Sequence, residues 1–219
     1  IVFGQARGPT TGNIWSRWKS LIGESIFLGV ESRPQALLLG AGAKDDSFNV
    51  RKDIVIPGFQ TDLRFREERF LTQSFEKDIF LSFRGTVWNQ PWVKYRVRQR
   101  LREKLAGEPG VVFSETKHRD KELYWKELKR SIFSLCPAGI TPWTLRFYES
   151  ILAGSIPVVL SDDFVFPFQG EINYSKFVVR LREQDADSVL AILRAIPESK
   201  VKAMHQELEA HRGCFLYHL

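Results

Sequence analysis

The chain has 219 residues, 43% of them hydrophobic, with 32 Lys and Arg residues against 26 Asp and Glu, for a formal net charge of +6. This size and composition indicate a globular protein with a substantial core, and no apolar stretch approaches the roughly 20 residues that cross a bilayer. The 2 cysteines, Cys136 and Cys214, are too few for a disulfide framework, so a disulfide-stapled scaffold is excluded.

The first 50 residues differ in pattern from the rest of the chain. An apolar start at residues 1–3, a helix that begins near Trp15 and a strand at residues 37–39 predict the tail of a preceding Rossmann-like domain, with a linker near residues 44–50. Because the chain opens within a predicted strand and without an initiator methionine, we expect it to be part of a longer polypeptide.

From residue 53 onward, short apolar runs alternate with stretches of helical spacing. Strands are predicted at residues 54–56, 79–83, 111–114, 132–136, 156–160 and 177–180. Helices are predicted at residues 61–72, 92–105, 123–130, 144–153, 185–196 and 198–211. Because the strands are rich in Val, Ile and Phe without clean alternation, helices are expected to cover both of their faces. The sequence therefore predicts an α/β fold with a doubly wound parallel sheet, which binds ligands at the carboxyl ends of its strands.

The predicted helix over residues 94–104 carries much of the positive charge. Its apolar face and its basic face alternate at helical spacing, which is typical of a solvated basic surface. No aromatic platform interleaves with the arginines, as binding of single-stranded nucleic acid would require, so a nucleic-acid-binding module is a remote alternative. Either Arg96 or Arg98 is within reach of an anion at the end of the sheet, and the spacing does not decide between them.

Residues 134–168 combine a buried strand, a turn with Gly139 and Pro142, a helix and a second buried strand. A turn between a strand and a helix directs unpaired backbone N–H groups at one point, where the helix dipole adds positive charge, so phosphate is the expected ligand. Either Thr141 or Thr144 is expected to cap the helix, with Pro142 at its first position.

Charged residues follow at the same end of the predicted sheet. Arg146 and Glu149 are one helical turn apart and project from one side, which suits a ligand with phosphate and hydroxyl groups such as a nucleotide. Arg84 follows a buried strand and precedes Gly85, so its side chain is expected at the same edge. The competing interpretations are an intrahelical Arg146–Glu149 pair and a surface Arg84 that binds a backbone carbonyl.

The central motif consists of Pro137-x-Gly139, Thr144-x-Arg146-Phe147-x-Glu149, Ala153-Gly154-x-Ile156-Pro157-Val158-Val159, Asp162 and Pro167-Phe168. This motif resembles the donor-binding half of the exostosin-like glycosyltransferases. The resemblance covers residues 51–219 and extends to residues 52–57, 80–85 and 171–174 on either side of the central motif. Many members carry Ser at the position of Thr144 and Cys or a similar small residue at the position of Ser155. Thr144 keeps the hydroxyl group and Ser155 keeps the small volume.

The resemblance implies a glycosyltransferase of the GT-B type that moves a sugar from a nucleotide-diphosphate donor to a glycan acceptor, with inversion and without a metal. Residues 1–50 would then be a remnant of the acceptor-side domain with its linker, and residues 51–219 the nucleotide-sugar-binding domain. Glu149 would accept hydrogen bonds from the ribose, and no general base is identified. The expected donor-nucleotide and phosphate-binding residues are Arg84, Arg98, Gly139, Thr144, Arg146 and Glu149.

The resemblance also implies partners and a compartment. The expected partners are a nucleotide-sugar donor, with a UDP-sugar favoured, a glycan or polysaccharide acceptor, and a homo- or hetero-oligomer; nucleic acid is not expected. No cofactor is expected. Members of the family in eukaryotes usually lie in the Golgi lumen on a membrane anchor, and a cytoplasmic location is the alternative.

Two further interpretations stay open at this point. An inactive exostosin-like homologue that stabilises a partner transferase would retain the same fold. Asp162 and Asp163 are adjacent carboxylates that would suit a divalent cation, although a turn whose side chains bond local backbone is the simpler interpretation. The histidines lack the spacing of zinc ligands or of a catalytic triad.

Overall fold

The computed structural model describes residues 2–3, 28–29, 54–58, 76–87, 96–115, 120–139 and 142–216. Three short strands, β1 (Val2–Phe3), β2 (Leu28–Gly29) and β3 (Ile54–Val55), pair in parallel in the order β1-β2-β3. The larger sheet has five parallel strands: β4 (Ile79–Arg84), β5 (Val111–Ser114), β6 (Ser131–Pro137), β7 (Ile156–Leu160) and β8 (Val179–Leu181).

The order of the larger sheet is β5-β4-β6-β7-β8. The chain moves outward from β4 to β5 and then returns past β4 to β6, so the direction of winding reverses between β4 and β6. Right-handed crossovers place the helices of the two directions on opposite faces of such a sheet. The predicted doubly wound α/β fold is therefore confirmed, and the crevice at the carboxyl ends of β4 and β6 is its expected ligand site.

One predicted strand joins a different sheet. Residues 54–56 were expected in the doubly wound sheet, but Ile54 and Val55 pair with Leu28 and Gly29 of β2. The Val55 carbonyl also accepts a hydrogen bond from the Phe168 amide at 2.9 Å, which joins this segment to the loop after β7. A short apolar run predicts a strand but carries no information about its partner, which explains the error. The domain division at residue 50 stays a prediction.

The helices are α1 (Val97–Leu105), α2 (Lys121–Arg130), α3 (Arg146–Leu152), α4 (Val189–Arg194) and α5 (Glu198–His211). Short 3-10 helices lie at Tyr174–Lys176, Glu183–Ser188 and Arg212–Phe215. The helix predicted at residues 61–72 lies outside the described residues. No helix in the described ranges has the length and apolar character that a bilayer span requires.

Aromatic packing holds α3 in place behind the strands. The Phe147 ring is fully buried, with its centroid 5.2 Å from that of Phe164, 5.5 Å from that of Phe166 and 6.0 Å from that of Tyr174. Because interiors are close-packed, a helix anchored in this way fixes the direction of its polar residues as well. Arg146 and Glu149, on either side of Phe147, therefore have fixed positions.

Both cysteines are free thiols, as the composition predicted. Cys136 is fully buried in β6, and burial raises the pKa of its thiol to about 12. A buried thiol that stays protonated acts as a small apolar residue rather than as a nucleophile.

Candidate functional site

Arg98 connects the two strands between which the winding direction reverses. Its Nη1 donates to the Thr86 carbonyl at 2.9 Å, just beyond β4. Its Nε donates to the Ala138 carbonyl at 3.1 Å and its Nη2 to the Pro137 carbonyl at 3.3 Å, at the end of β6. The guanidinium therefore lies in the crevice where an open α/β sheet binds its ligand.

This position differs from the solvated basic face that the helical pattern favoured for most of α1. Burial and, second, the charge of Arg146 lower the pKa of Arg98 to about 10, so the side chain still carries its charge at neutral pH. Arg98 also lies in the first turn of α1, where the positive end of the helix dipole disfavours a cation. The charges of Arg98 and Arg146 and the positive end of the α1 dipole therefore add up at this point of the crevice.

The other cations of α1 that contact protein groups do so away from the crevice. Arg100 donates to the carbonyls of Glu183 and Gln184 and forms an ion pair with Asp187 at 2.9 Å. Arg102 lies 3.5 Å from the Glu115 carboxylate. These contacts fasten α1 to neighbouring elements and support a structural role for this face over nucleic-acid binding.

Arg146 is the second cation of the crevice, and it is 8% exposed. Its Nη2 donates to the backbone carbonyl of Arg84, and its Nη1 lies 3.4 Å from the Tyr124 hydroxyl. Its Cζ is 4.9 Å from the centre of the Phe83 ring and 5.3 Å from that of the Tyr124 ring, within the range of cation–π attraction. Arg98 approaches the same Phe83 ring at 5.5 Å.

Among the described residues, no carboxylate forms an ion pair with Arg98 or Arg146. Their partners are backbone carbonyls, a hydroxyl and aromatic rings, all of them neutral. A buried charge is costly unless an opposite charge or a ligand compensates it. The crevice is therefore electrostatically suited to an anion.

Glu149 is partly buried and faces the same group of residues. The Tyr124 hydroxyl donates to its Oε2 at 2.5 Å. The competing interpretation was an intrahelical ion pair between Arg146 and Glu149. In the described residues the Tyr124 hydroxyl instead contacts both side chains and links them indirectly. Burial is the main reason that the pKa of Tyr124 lies well above its usual value, so the phenol remains a neutral donor.

Arg84 is turned toward a carboxylate. Its Nε donates to Glu127 Oε2 at 2.8 Å and its Nη2 to Oε1 at 2.6 Å, and both side chains are largely buried. The Glu127 hydrogen bonds raise the pKa of Arg84. This bidentate pair compensates the charge of Arg84, unlike those of Arg98 and Arg146. A phosphate-binding role for the Arg84 side chain stays a prediction.

Gly139 lies against Arg98 at the end of β6. A Cβ atom built on Gly139 would lie 2.6 Å from Arg98 Nη2 and 3.0 Å from its Cζ. Glycine therefore lets the turn after β6 approach the guanidinium closely. Direct contact of Gly139 with a ligand stays a prediction.

The predicted cap of α3 by Thr144 is wrong, as is the placement of Pro142 at the first helical position. The helix begins at Arg146, and the residue at its N-cap position is Leu145. Leu145 has helical dihedral angles, and no side chain caps the helix there. The Thr144 carbonyl accepts the Phe147 amide at 3.2 Å in a tight first turn. Thr141 lies outside the described residues, and phosphate binding by the Thr144 hydroxyl stays a prediction.

Asp162 joins the loop after β7 to the 3-10 helix at Glu183–Ser188. Its Oδ1 accepts the Glu183 amide at 3.1 Å, and the Glu183 carboxylate accepts the Asp162 amide at 3.3 Å. The carboxylate is thus used in a structural contact, although its partner is a distant backbone group rather than the local turn that we expected.

Sequence reasoning missed two residues of the site, Tyr124 and Glu127. Both lie on α2, one turn apart, and they hold the side chains that the motif singled out. In the sequence, Tyr124 is one of the apolar positions of an ordinary covering helix, and no local signal separates it from core residues.

Residues 27–196 match the model of the family described as "Exostosin GT47 domain". The chain is 31% identical over 154 residues to "Probable glucuronosyltransferase Os01g0926400" of Oryza sativa subsp. japonica, a match that covers 68% of this chain and 36% of that protein. It is 32% identical over 150 residues to "Probable beta-1,4-xylosyltransferase IRX10" of Arabidopsis thaliana, covering 66% and 35%. The chain thus spans about a third of the length of these curated relatives.

Among solved structures, "Crystal Structure of TarM" aligns with a TM-score of 0.48 and 11% sequence identity, over 94% of this chain and 44% of that one.

Proposed function

The chain belongs to the exostosin GT47 family, and we propose that it is the donor-binding part of a glycosyltransferase that moves a sugar from a nucleoside diphosphate to a glycan. The family match covers most of the described doubly wound sheet and includes every residue of the crevice. Enzymes with open α/β sheets bind nucleotides at the point where the winding direction reverses.

The observation that carries this proposal is the pair of cations in the crevice, Arg98 and Arg146. Both are held by neutral groups at the carboxyl ends of β4 and β6. Together they leave two positive charges without a carboxylate partner among the described residues. A diphosphate supplies the missing negative charge, and the planar guanidinium group suits phosphate oxygens.

The same pair explains how the site would assist bond cleavage. Negative charge builds on the diphosphate as its bond to the sugar breaks, and fixed cations that already face it stabilise the transition state without reorganising. Arg98 uses three N–H groups for backbone carbonyls and retains two of the guanidinium's five for a ligand. Fixed cations of this kind support a mechanism that does not depend on a metal.

Glu149 supplies the second half of the recognition. A partly buried carboxylate that shares the Tyr124 hydroxyl with Arg146 suits a ligand with vicinal hydroxyl groups, and we assign it to the ribose of the donor. Inversion at the sugar carbon would also require a general base that removes the acceptor proton, a role that we assign to no residue of this chain.

The named relatives refine the proposal. Their names describe glucuronosyl and xylosyl transfer. We therefore propose that the transferred sugar is a uronic acid or a pentose. From the family resemblance we further propose a UDP-sugar as donor, a polysaccharide as acceptor and the Golgi lumen as the compartment. Association with a second copy or a related transferase stays a prediction.

Calorimetric titration with UDP, GDP and ADP tests the proposal. We expect the wild-type protein to bind one of them, and we expect Arg98→Gln and Glu149→Ala to weaken that binding at least tenfold. Arg100→Gln is the matched control, because it removes the same charge from the same helix away from the crevice. No nucleotide binding by a folded wild-type protein would overturn the proposal and favour an inactive homologue.

A further inference from the structure

We propose that Tyr124 is a positioning residue of this site: its hydroxyl holds the Glu149 carboxylate and the Arg146 guanidinium in one arrangement that fits the donor. This inference rests on the proposed nucleoside diphosphate site. Tyr124 acts through these two side chains and is not itself expected to touch the donor.

The Tyr124 hydroxyl contacts two residues of the site. It donates its single proton to Glu149 Oε2 and accepts from Arg146 Nη1 at 3.4 Å. A phenol has one proton to donate and lone pairs with which to accept, so this geometry fixes the direction of both bonds. The hydroxyl thereby sets the spacing between the group assigned to phosphate and the group assigned to ribose.

Burial makes this arrangement stiff. Tyr124 is 4% exposed, and its ring packs beside Trp125 with centroids 5.1 Å apart. Hydrogen bonds in a chain strengthen one another where the local dielectric is low. Rotation of the Glu149 carboxylate away from the hydroxyl would break this hydrogen bond in a buried setting, which is costly.

The helix that carries Tyr124 is itself fastened to the site. Asp120 caps the start of α2 by accepting the Leu123 amide at 2.9 Å. One turn after Tyr124, Glu127 forms the bidentate pair with Arg84 at the end of β4. Helix α2 therefore connects β4 with α3 through side chains that end at the crevice, as a supporting layer for ligand-binding groups does.

Tyr174 shows what a purely structural buried tyrosine looks like in this fold. It is 6% exposed, and its hydroxyl donates to the Pro167 backbone carbonyl at 2.7 Å. The two tyrosines match in burial and in loss of a hydroxyl on substitution by Phe. They differ in that the Tyr124 hydroxyl contacts charged residues of the site.

The test is a double-mutant cycle in the full chain, by calorimetric titration with whichever of UDP, GDP and ADP the wild type binds most tightly. We expect Tyr124→Phe to weaken binding roughly tenfold, which is the loss of one hydrogen bond to a charged group. In a Glu149→Ala background the same change is expected to weaken binding less than about threefold, because only the longer contact with Arg146 remains to be lost. Tyr174→Phe is expected to leave the affinity within about twofold of the wild type.

A second variant keeps the test independent of how Tyr124→Phe folds. Glu149→Asp retains the charge but withdraws the carboxylate from the hydroxyl, and we expect it to weaken binding as much as Tyr124→Phe does. Wild-type affinity in Tyr124→Phe, or an equal loss in both backgrounds of the cycle, would overturn the positioning role alone. A folded wild type that binds none of the nucleotides would overturn the proposed function, and this inference with it.

Discussion

Arg98 and Gly139 are in such close contact that a Cβ atom on residue 139 would lie 2.6 Å from Arg98 Nη2. The guanidinium cannot move aside freely, because three backbone carbonyls at the ends of β4 and β6 hold it. The absence of a side chain at residue 139 is therefore a condition for the position of the cation.

Gly139→Ala is expected to displace Arg98 and to weaken nucleoside diphosphate binding at least tenfold. Overpacking at this contact is also expected to lower the free energy of unfolding by about 1–3 kcal/mol. Titration calorimetry and urea unfolding measure the two effects. Gly170→Ala is the matched control, since a Cβ there meets nothing within 4 Å. Equal affinity in Gly139→Ala and Gly170→Ala would contradict the prediction.

Glu127→Gln is expected to strengthen diphosphate binding about three- to tenfold. The substitution removes a negative charge that pairs with Arg84, so the potential at the end of β4 becomes more positive. It also replaces the largely buried Arg84–Glu127 ion pair by a hydrogen bond to a neutral amide. We therefore expect the free energy of unfolding to fall by about 1–3 kcal/mol. The measurements are nucleotide titration and urea unfolding. An unchanged or weaker affinity would contradict the prediction, and a weaker one would indicate that the pair with Glu127 positions Arg84 or helix α2 for binding.

Lys77→Met is expected to destabilise the fold without changing nucleotide affinity. The Lys77 ammonium donates to the carbonyls of Lys129, Ser131 and Gly154 at 2.8, 3.1 and 2.7 Å, at the edge of the sheet opposite the crevice. Loss of these bonds is expected to lower the free energy of unfolding by about 2–4 kcal/mol. Lys202→Met, at an exposed i,i+4 pair, is the control and is expected to change it by less than about 0.5 kcal/mol. A comparable loss of stability in both variants would refute this account of Lys77.

His205 is expected to make the fold sensitive to mild acid. Burial, followed by the charges of Lys77 and Arg212, lowers the pKa of His205 from its ordinary 6.5 to about 4. Between these values the unfolded chain binds a proton that the folded protein does not, so stability is lost as the pH falls from about 6.5 to about 4. Urea unfolding at several pH values should show a smaller loss for His205→Gln than for the wild type. If the free energy of unfolding fell with pH in parallel in the two proteins, His205 would not be a source of the acid sensitivity.

Strands β4 to β8 were predictable because they are short runs of Val, Ile, Leu and Phe between turn residues. The location of the site followed from topology, since parallel strands end at one edge of the sheet. The motif also predicted that Arg146 and Glu149 lie together, because residues one helical turn apart share a side.

The partners of these residues were not predictable. Arg84 and Glu127 are 43 residues apart in the chain, and nothing local couples them. Arg98 belongs to a helix whose periodicity separates an apolar face from a polar one, but periodicity does not show that part of the polar face meets the ends of neighbouring strands. Tyr124 was not predictable either, because it stands at an apolar position of its helix, and an aromatic residue at such a position usually belongs to the core.

A crystal structure of the protein with its preferred nucleoside diphosphate would show whether Arg98 and Arg146 together bind the diphosphate. We predict phosphate oxygens within hydrogen-bond distance of both guanidinium groups, with the ribose hydroxyls on Glu149. A nucleotide bound at another edge of the sheet, with both arginines still held only by their neutral protein partners, would show that these two cations do not form the donor site.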